Sequence, residues 1–104
     1  MTVKKWEIHW AHVVFEDSDE VKRRPVLIID ESNAVIISLK MTGTDRGDNV
    51  REYRIEKWQE AGLSKPTSVR LDKILHLQKT DLDGKIGRLQ EIDIIKIRFR
   101  MSKR

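Results

Sequence analysis

Cysteine is absent from these 104 residues, and there are only two prolines and five glycines. Without a thiol there is no disulfide scaffold, no thiolate zinc site and no cysteine nucleophile. Long apolar runs are missing too: none exceeds four residues, as in Val26-Leu27-Ile28-Ile29, far short of the roughly 18–20 that cross a bilayer as a helix. No signal peptide is read at the start, because Lys4 and Lys5 lead into Trp6, Glu7 and His9 rather than into an apolar stretch. Neither glycine-rich phosphate-loop pattern, G-x-G-x-x-G or G-x-x-x-x-G-K-S/T, occurs. His9, His12 and His76 lack the i, i+4 spacing of a helical metal pair, which argues against zinc hydrolysis. Aromatic residues are few at 6%, and apolar residues reach 38%, enough for one modest core. The expectation is a single cytoplasmic domain over 1–104, with no membrane association, metal or cofactor.

Charge is what the chain has in excess: 37% of residues are charged, and the net is +4. Residues 1–30 and 31–60 each carry five basic against six acidic side chains, whereas 61–104 carries eleven against five. The last nine residues hold Lys96, Arg98, Arg100, Lys103 and Arg104 with no acid. A basic excess confined to one segment suits a polyanion or an acidic protein partner, and it serves solubility equally well.

Hydropathy alternates from Glu7 to Phe15, with Ile8, Trp10, His12 and Val14 on one side, which predicts a strand. Trp6 and Trp10 fit either packing or base stacking. Glu16 to Lys22, rich in acids, reads as a loop. Pro25 to Asp30 reads as a short strand opened by a proline, a residue confined to first or edge positions. Asp30 to Asn33 turns the chain and Ala34 to Leu39 returns, giving a hairpin. Lys40 to Val50 reads as a loop, and Glu52 to Ile55 as a short strand. Glu56 to Gly62 reads as one or two helical turns closed by Gly62. Thr67 to Leu77 alternates, with Val69, Leu71 and Ile74/Leu75 inward and Arg70, Asp72 and Lys73 mostly outward, and Thr80 to Gly84 is a turn. The tail reads two ways: Ile95, Ile97, Phe99 and Met101 alternate as in a strand, while Leu89, Ile92, Ile95/Lys96 and Phe99 fit a helical stripe. Propensity favours the strand. Five or so short strands around small helical insertions imply a mainly β, partly open barrel.

Arg24 before Pro25, Thr42 after the second hairpin strand, and the triplet Arg70-Leu71-Asp72 carry the chemistry. Residues two apart on a strand share a face, so Arg70 and Asp72 present a cation and a carboxylate roughly 6–7 Å apart. One reading is an exposed ion pair of little energetic weight. The other is phosphodiester cleavage without a metal: RNA carries its own nucleophile in the 2′-hydroxyl, so an enzyme needs a base, an acid and cations for the developing charge.

At these residues the sequence resembles the MazF/PemK/Kid family of bacterial toxins. Trp6-Glu7-Ile8-His9-Trp10 is similar to the family's opening G-[DE]-I-W strand, with Trp6 where the family has glycine. Arg23-Arg24-Pro25-Val26-Leu27-Ile28-Ile29 resembles G-x-R-P-V-L-V-I, and Ile36 to Gly43 resembles the strand ending in a T-S loop, with Gly43 for the serine. Ser68-Val69-Arg70-Leu71-Asp72 is similar to the Kid-like V-V-R-x-D strand. Lys85-Ile86-Gly87-Arg88-Leu89 resembles the late k-i-G-x-L stretch, and Trp58 to Thr67 resembles W-x-x-A-G-L-x-K-P-S of a PemK-like branch. The resemblance covers about residues 6–100. It implies an SH3-like barrel of the MazF/Kid/CcdB kind, a homodimer, and a terminal helix from about Gln90 to Met101. It further implies a toxin of a type II toxin–antitoxin system: a metal-independent, sequence-specific endoribonuclease that leaves 2′,3′-cyclic phosphate and 5′-OH ends on single-stranded RNA. Arg24, Thr42, Arg70 and Asp72 are then the expected catalytic residues, and Arg23, Gly43, Ser68 and Lys73 the expected RNA-binding ones. The expected partner is an acidic antitoxin. The alternatives are a CcdB-like gyrase poison or a catalytically silent SH3-like binding module.

Overall fold

The computed structural model describes residues 2–14, 20–32, 35–43 and 51–102. Among these, six strands, β1 (Glu7–Val14), β2 (Val21–Glu31), β3 (Ile36–Thr42), β4 (Glu52–Arg54), β5 (Ser68–Leu77) and β6 (Leu82–Arg88), precede one helix, α1 (Glu91–Ser102). The strands form a single antiparallel sheet in the order β4-β5-β3-β2-β1-β6. The expected mainly β, partly open architecture with a C-terminal helix is thus observed. The edges β4 and β6 do not pair with each other. The turn after β4 approaches β6 instead: a Cβ on Gly87 would lie 1.9 Å from the Ala61 carbonyl oxygen, and one on Gly62 (φ +99°) 2.6 Å from that of Ile86. Only glycine permits this closeness of two backbones.

Both faces of the central strands are covered. Ile8, Leu27 and Leu39 pack with Tyr53, Val69, Leu89 and the helix residues Ile94 and Ile97. On the other side Val26 and Ile28 join Val3, Ala11, Val13, Ile36 and Leu77. A strand buried on both faces has no polar alternation to show, which accounts for the run Val26 to Ile29. Trp6 holds φ +71° in the left-handed region, which costs a bulky L-residue. Its N–H donates to the Ile28 carbonyl (2.7 Å) and its own carbonyl accepts from Leu89 N–H (3.0 Å), tying β2 to the approach of α1.

Several expected boundaries move. β2 begins at Val21, not Pro25, because β1 pairs with it from Val14↔Val21 onward, whereas the β3 ladder starts only at Val26↔Lys40. Pro25 therefore stands where β2 is an edge on one side. Lys40 to Thr42 belong to β3 rather than a loop, and Leu82 to Gly84 open β6 rather than end a turn; a 3-10 turn over Lys79–Asp81 precedes them. Residues 56–62 are turns and not a regular helix, closed by helix-like bonds such as Ala61 N–H to Lys57 O at 3.0 Å. Ile74, expected inward, is exposed. Phe15, Asn33, Ala34 and most of the acidic loop and of the 40–50 segment lie outside the described residues.

The tail is a helix, as the resemblance implied and strand propensity did not. Of the expected stripe, however, only Leu89, just before the helix, is buried. Asp93, Ile94 and Ile97 face inward, while Ile92, Ile95 and Phe99 are exposed. Tertiary contacts decide this: the Asp93 carboxylate accepts from Tyr53 Oη (2.5 Å), Glu56 N–H (2.9 Å) and Lys57 N–H (3.0 Å). Burying those bonds outweighs an intrinsic preference of a few tenths of a kcal/mol per residue.

Candidate active site

Because β2 runs past the end of its ladder with β3, a groove opens beside Arg24 and Pro25. Its volume is about 1140 Å³, and its walls include Trp10, Arg24, Lys40, Thr42, Gly43, Lys65, Thr67, Arg70 and Ile86. Four cations, Arg24, Lys40, Lys65 and Arg70, thus line one concavity, and none of its described lining residues is a carboxylate. Register explains the convergence. Val26 pairs with Lys40 and Thr42 pairs with Ser68, so the ends of β2, β3 and the start of β5 are neighbours. Alternation then sets Arg24, Lys40, Thr42 and Arg70 opposite to the core-facing Leu27, Met41 and Val69.

The wall between Gly62 and Thr67 is held by its own bonds. Leu63 N–H donates to Trp58 O at 3.0 Å, and Thr67 Oγ1 donates to Lys65 O at 2.9 Å. A Cβ on Gly43 would come within 2.8 Å of Lys65 Cε, so the lysine lies directly across that glycine. Ser68 is buried and accepts from Arg54 Nη1 at 3.1 Å.

Of the residues expected to be catalytic, the structure brings Arg24, Thr42 and Arg70 together along the groove. Asp72 is not among the lining residues; its carboxylate is exposed and faces Arg51 at 3.9 Å. Of the residues expected to bind RNA, Gly43 lines the groove, and Ser68 sits behind Thr42 in register. Lys73 is partly buried and lies away from it. Arg23 stands beside the groove with its guanidinium 4.3 Å from the centre of the Trp10 ring, and its Nε donates to Asp83 Oδ2 at 2.7 Å. That hydrogen bond lowers the Asp83 carboxyl pKa, with His12 nearby at 3.5 Å.

Three groups at or near the site carry no mark in the sequence. Glu52, nearly buried on β4, pairs in register with Arg70, its Oε2 lying 3.8 Å from Arg70 Nε. Alternation places Glu52 opposite Tyr53 and Ile55, but nothing local names its partner. Lys40, two residues before Thr42, reads as loop from its polar surroundings but lies on β3, on the face that Thr42 shares. Glu7 and His9 form a buried pair, Nε2 to Oε1 2.9 Å, with Lys85 Nζ 3.0 Å from Glu7 Oε2. Burial alone would raise the Glu7 carboxyl, but hydrogen bonds from His9, the Lys4 N–H and Lys85 outweigh it and hold the pKa at about 2.

Comparison with known proteins bears on the family and the fold. A family model described as PemK-like, MazF-like toxin of type II toxin-antitoxin system matches residues 4–103. The chain is similar to a probable endoribonuclease MazF of Mycolicibacterium smegmatis, at 32% identity over 79 residues and 72% of each chain. Among solved structures it resembles a mycobacterial endoribonuclease in complex with its cognate antitoxin, with TM-score 0.78, 16% identity and coverage of 97% of this chain and 92% of that one. The Mycobacterium tuberculosis toxin MazF-mt6 superposes with TM-score 0.74 at 25% identity, with 92% of each chain covered. A MazE–MazF structure from Deinococcus radiodurans gives TM-score 0.74 at 14% identity over 98% of this chain and 95% of that one.

Proposed function

This chain belongs to the PemK-like, MazF-like toxins of type II toxin–antitoxin systems, and we propose that it cuts single-stranded RNA, in a sequence-dependent and metal-independent way, in the groove beside Arg24. It is an endoribonuclease, as its family and its similarity to a probable endoribonuclease MazF support. The observation that carries the proposed site is the convergence of Arg24, Thr42 and Arg70, from three separate strands, in a groove of four cations.

In this reading the scissile phosphate sits between the arginines. The substrate's 2′-hydroxyl oxygen attacks phosphorus and gives up its proton to solvent water, the bond from phosphorus to the 5′-oxygen breaks, and that oxygen takes a proton from water, so the products are a 2′,3′-cyclic phosphate and a 5′-OH end. Negative charge gathers on the non-bridging oxygens in the transition state. Guanidinium groups suit those oxygens because their planar forks donate two parallel hydrogen bonds, and Thr42 Oγ1 adds a second kind of donor. Such preorganised donors contribute about 10²–10³ in rate each. Arginine stays protonated at neutral pH, so Arg24 and Arg70 act through charge rather than as proton donors. Asp72 has the chemistry to take the 2′-hydroxyl proton but stands outside the groove lining and beside Arg51. The reading therefore rests on the cations, and an Asp72→Asn variant decides the part that Asp72 plays.

The partners follow from the same surface. A groove lined by four cations is complementary to an acidic antitoxin segment lying over Arg24 and Arg70, and the similar endoribonuclease solved with its cognate antitoxin supports that partner. The exposed Ile92, Ile95 and Phe99 recur along one side of α1 and suit a second copy of the chain. No helix among the described residues is long and apolar enough to cross a membrane, and the proposed substrate places the work in the cytoplasm.

The test is direct. A long unstructured RNA is incubated with the purified protein in EDTA, beside Arg24→Ala and Arg70→Ala variants, and fragment ends are mapped. Discrete cuts with cyclic phosphate ends, reduced about a hundredfold or more in each variant, are expected. Undiminished cutting by the variants refutes the site; intact RNA with arrested growth redirects the reading to a protein target.

A further inference from the structure

Arg70 has five N–H groups, and where each one points decides what it can do in the groove. Its Nε is buried and has no hydrogen-bond partner. The group it faces is the Glu52 carboxylate, at 3.8 Å from Oε2, with the Glu52 side chain 6% exposed and that of Arg70 20% exposed. A carboxylate so far withdrawn from water is tolerated when a cation compensates it. Nε is out of reach of any substrate, so Nη1 and Nη2 carry whatever Arg70 donates to the groove it lines.

We infer that Glu52 is the positioning residue for Arg70. It anchors the guanidinium by its Nε side and so sets the plane in which the Nη groups meet a phosphate. This rests on the reading of Arg70 as part of the cleavage site. The sequence pairs Arg70 with Asp72 by proximity on one strand, but the structure pairs it with Glu52 across strands: Glu52↔Arg70 are register partners of β4 and β5. β4 itself is only three residues long. It is fixed on its other face by Tyr53, whose hydroxyl donates to Asp93 at 2.5 Å. Neighbouring residues on opposite faces of one short strand thus fasten the helix and the arginine at once. A bidentate fork is sensitive to orientation, since a misplaced charge still attracts RNA but no longer matches the transition-state oxygens. Loss of Glu52 should therefore lower turnover more than it weakens binding.

The experiment compares wild type, Glu52→Gln, Glu52→Asp, Arg70→Ala and the Glu52→Gln/Arg70→Ala double variant on the same unstructured RNA, with rates at several RNA concentrations. Glu52→Gln is expected to lower kcat about 10- to 100-fold with KM changed less than about threefold, and to add less than about twofold once Arg70 is gone. Glu52→Asp, which keeps the charge on a shorter arm, is expected to fall between wild type and Glu52→Gln. Thermal melting checks folding. Should Glu52→Gln fail to fold, hydrogen exchange of the Arg70 Nε–H in wild type and Glu52→Asp gives the answer: slow exchange in wild type and faster in Glu52→Asp support the anchor, and equal rates overturn it. Full activity of Glu52→Gln beside an inactive Arg70→Ala, or multiplicative losses in the double variant, overturns this inference alone. Wild-type rates for Arg70→Ala remove the proposed site itself, and this inference with it.

Discussion

Asp93 is a buried acid that accepts from three donors, and replacing it is the sharpest test of how the helix is held. It is fully buried in the first turn of α1. Its Oδ1 accepts from Tyr53 Oη and Glu56 N–H, and its Oδ2 from Lys57 N–H, at 2.5, 2.9 and 3.0 Å. Burial raises the Tyr53 hydroxyl pKa well above its ordinary range, and the hydrogen bond and charge of Asp93 raise it further, so the phenol is a donor at neutral pH. Asparagine at this position keeps the shape but must set an amide N–H against at least one of the three donors. Hydrogen bonds to a charged acceptor contribute about 1.5–3 kcal/mol each, and a stranded buried donor costs about 1–3 kcal/mol. Because the carboxylate's own desolvation offsets part of that gain, we expect Asp93→Asn to lose about 2–4 kcal/mol and Asp93→Ala about 4 kcal/mol. Against a total of about 5–15 kcal/mol for a small domain, the alanine variant should melt roughly 15–30 °C lower. Urea unfolding followed by tryptophan fluorescence measures this, and a cycle with Tyr53→Phe isolates the hydroxyl's share. An Asp93→Asn variant within 1 kcal/mol of wild type, or a strictly additive cycle, would refute the reasoning.

Three further outcomes follow from local geometry. The Glu7 carboxyl is depressed from an ordinary 4.5 to about 2, so its stabilisation, on the order of 3 kcal/mol, is complete above pH about 4.5 and is lost as pH falls through about 2; acid titration of unfolding should show a flatter limb for Glu7→Gln. At Trp6, φ +71° makes Trp6→Gly more stable than Trp6→Ala by about 1 kcal/mol, and equal melting of the two variants would contradict the strain. Gly87→Ala should destabilise by about 3 kcal/mol or more, because its Cβ would meet the Ala61 carbonyl oxygen at 1.9 Å; a chemical denaturation curve superposing on wild type would show that the two backbones can separate freely.

Much of this protein is determined locally. Alternation of apolar side chains over Glu7 to Val14 and over β5 reports strands because a pleated chain has a period of two, whatever it packs against. The basic excess of 61–104 and the motif residues Arg24, Thr42 and Arg70 are likewise present in the order of residues alone. Pairing was left to the tertiary structure. Asp72, two residues after Arg70 in sequence, faces Arg51, while Glu52, on another strand, faces Arg70 through the β4–β5 register. The tail shows the same division. Its Ile95, Ile97, Phe99 and Met101 alternate as in a strand, its Leu89, Ile92, Ile95/Lys96 and Phe99 fit a helical stripe, and propensity favours the strand. The helix wins because Asp93 finds three donors and Ile94 and Ile97 a core, on strand β4, the turn after it and the body of the sheet. Propensity acts within a few residues at tenths of a kcal/mol, whereas a buried carboxylate with three donors acts across the chain at several.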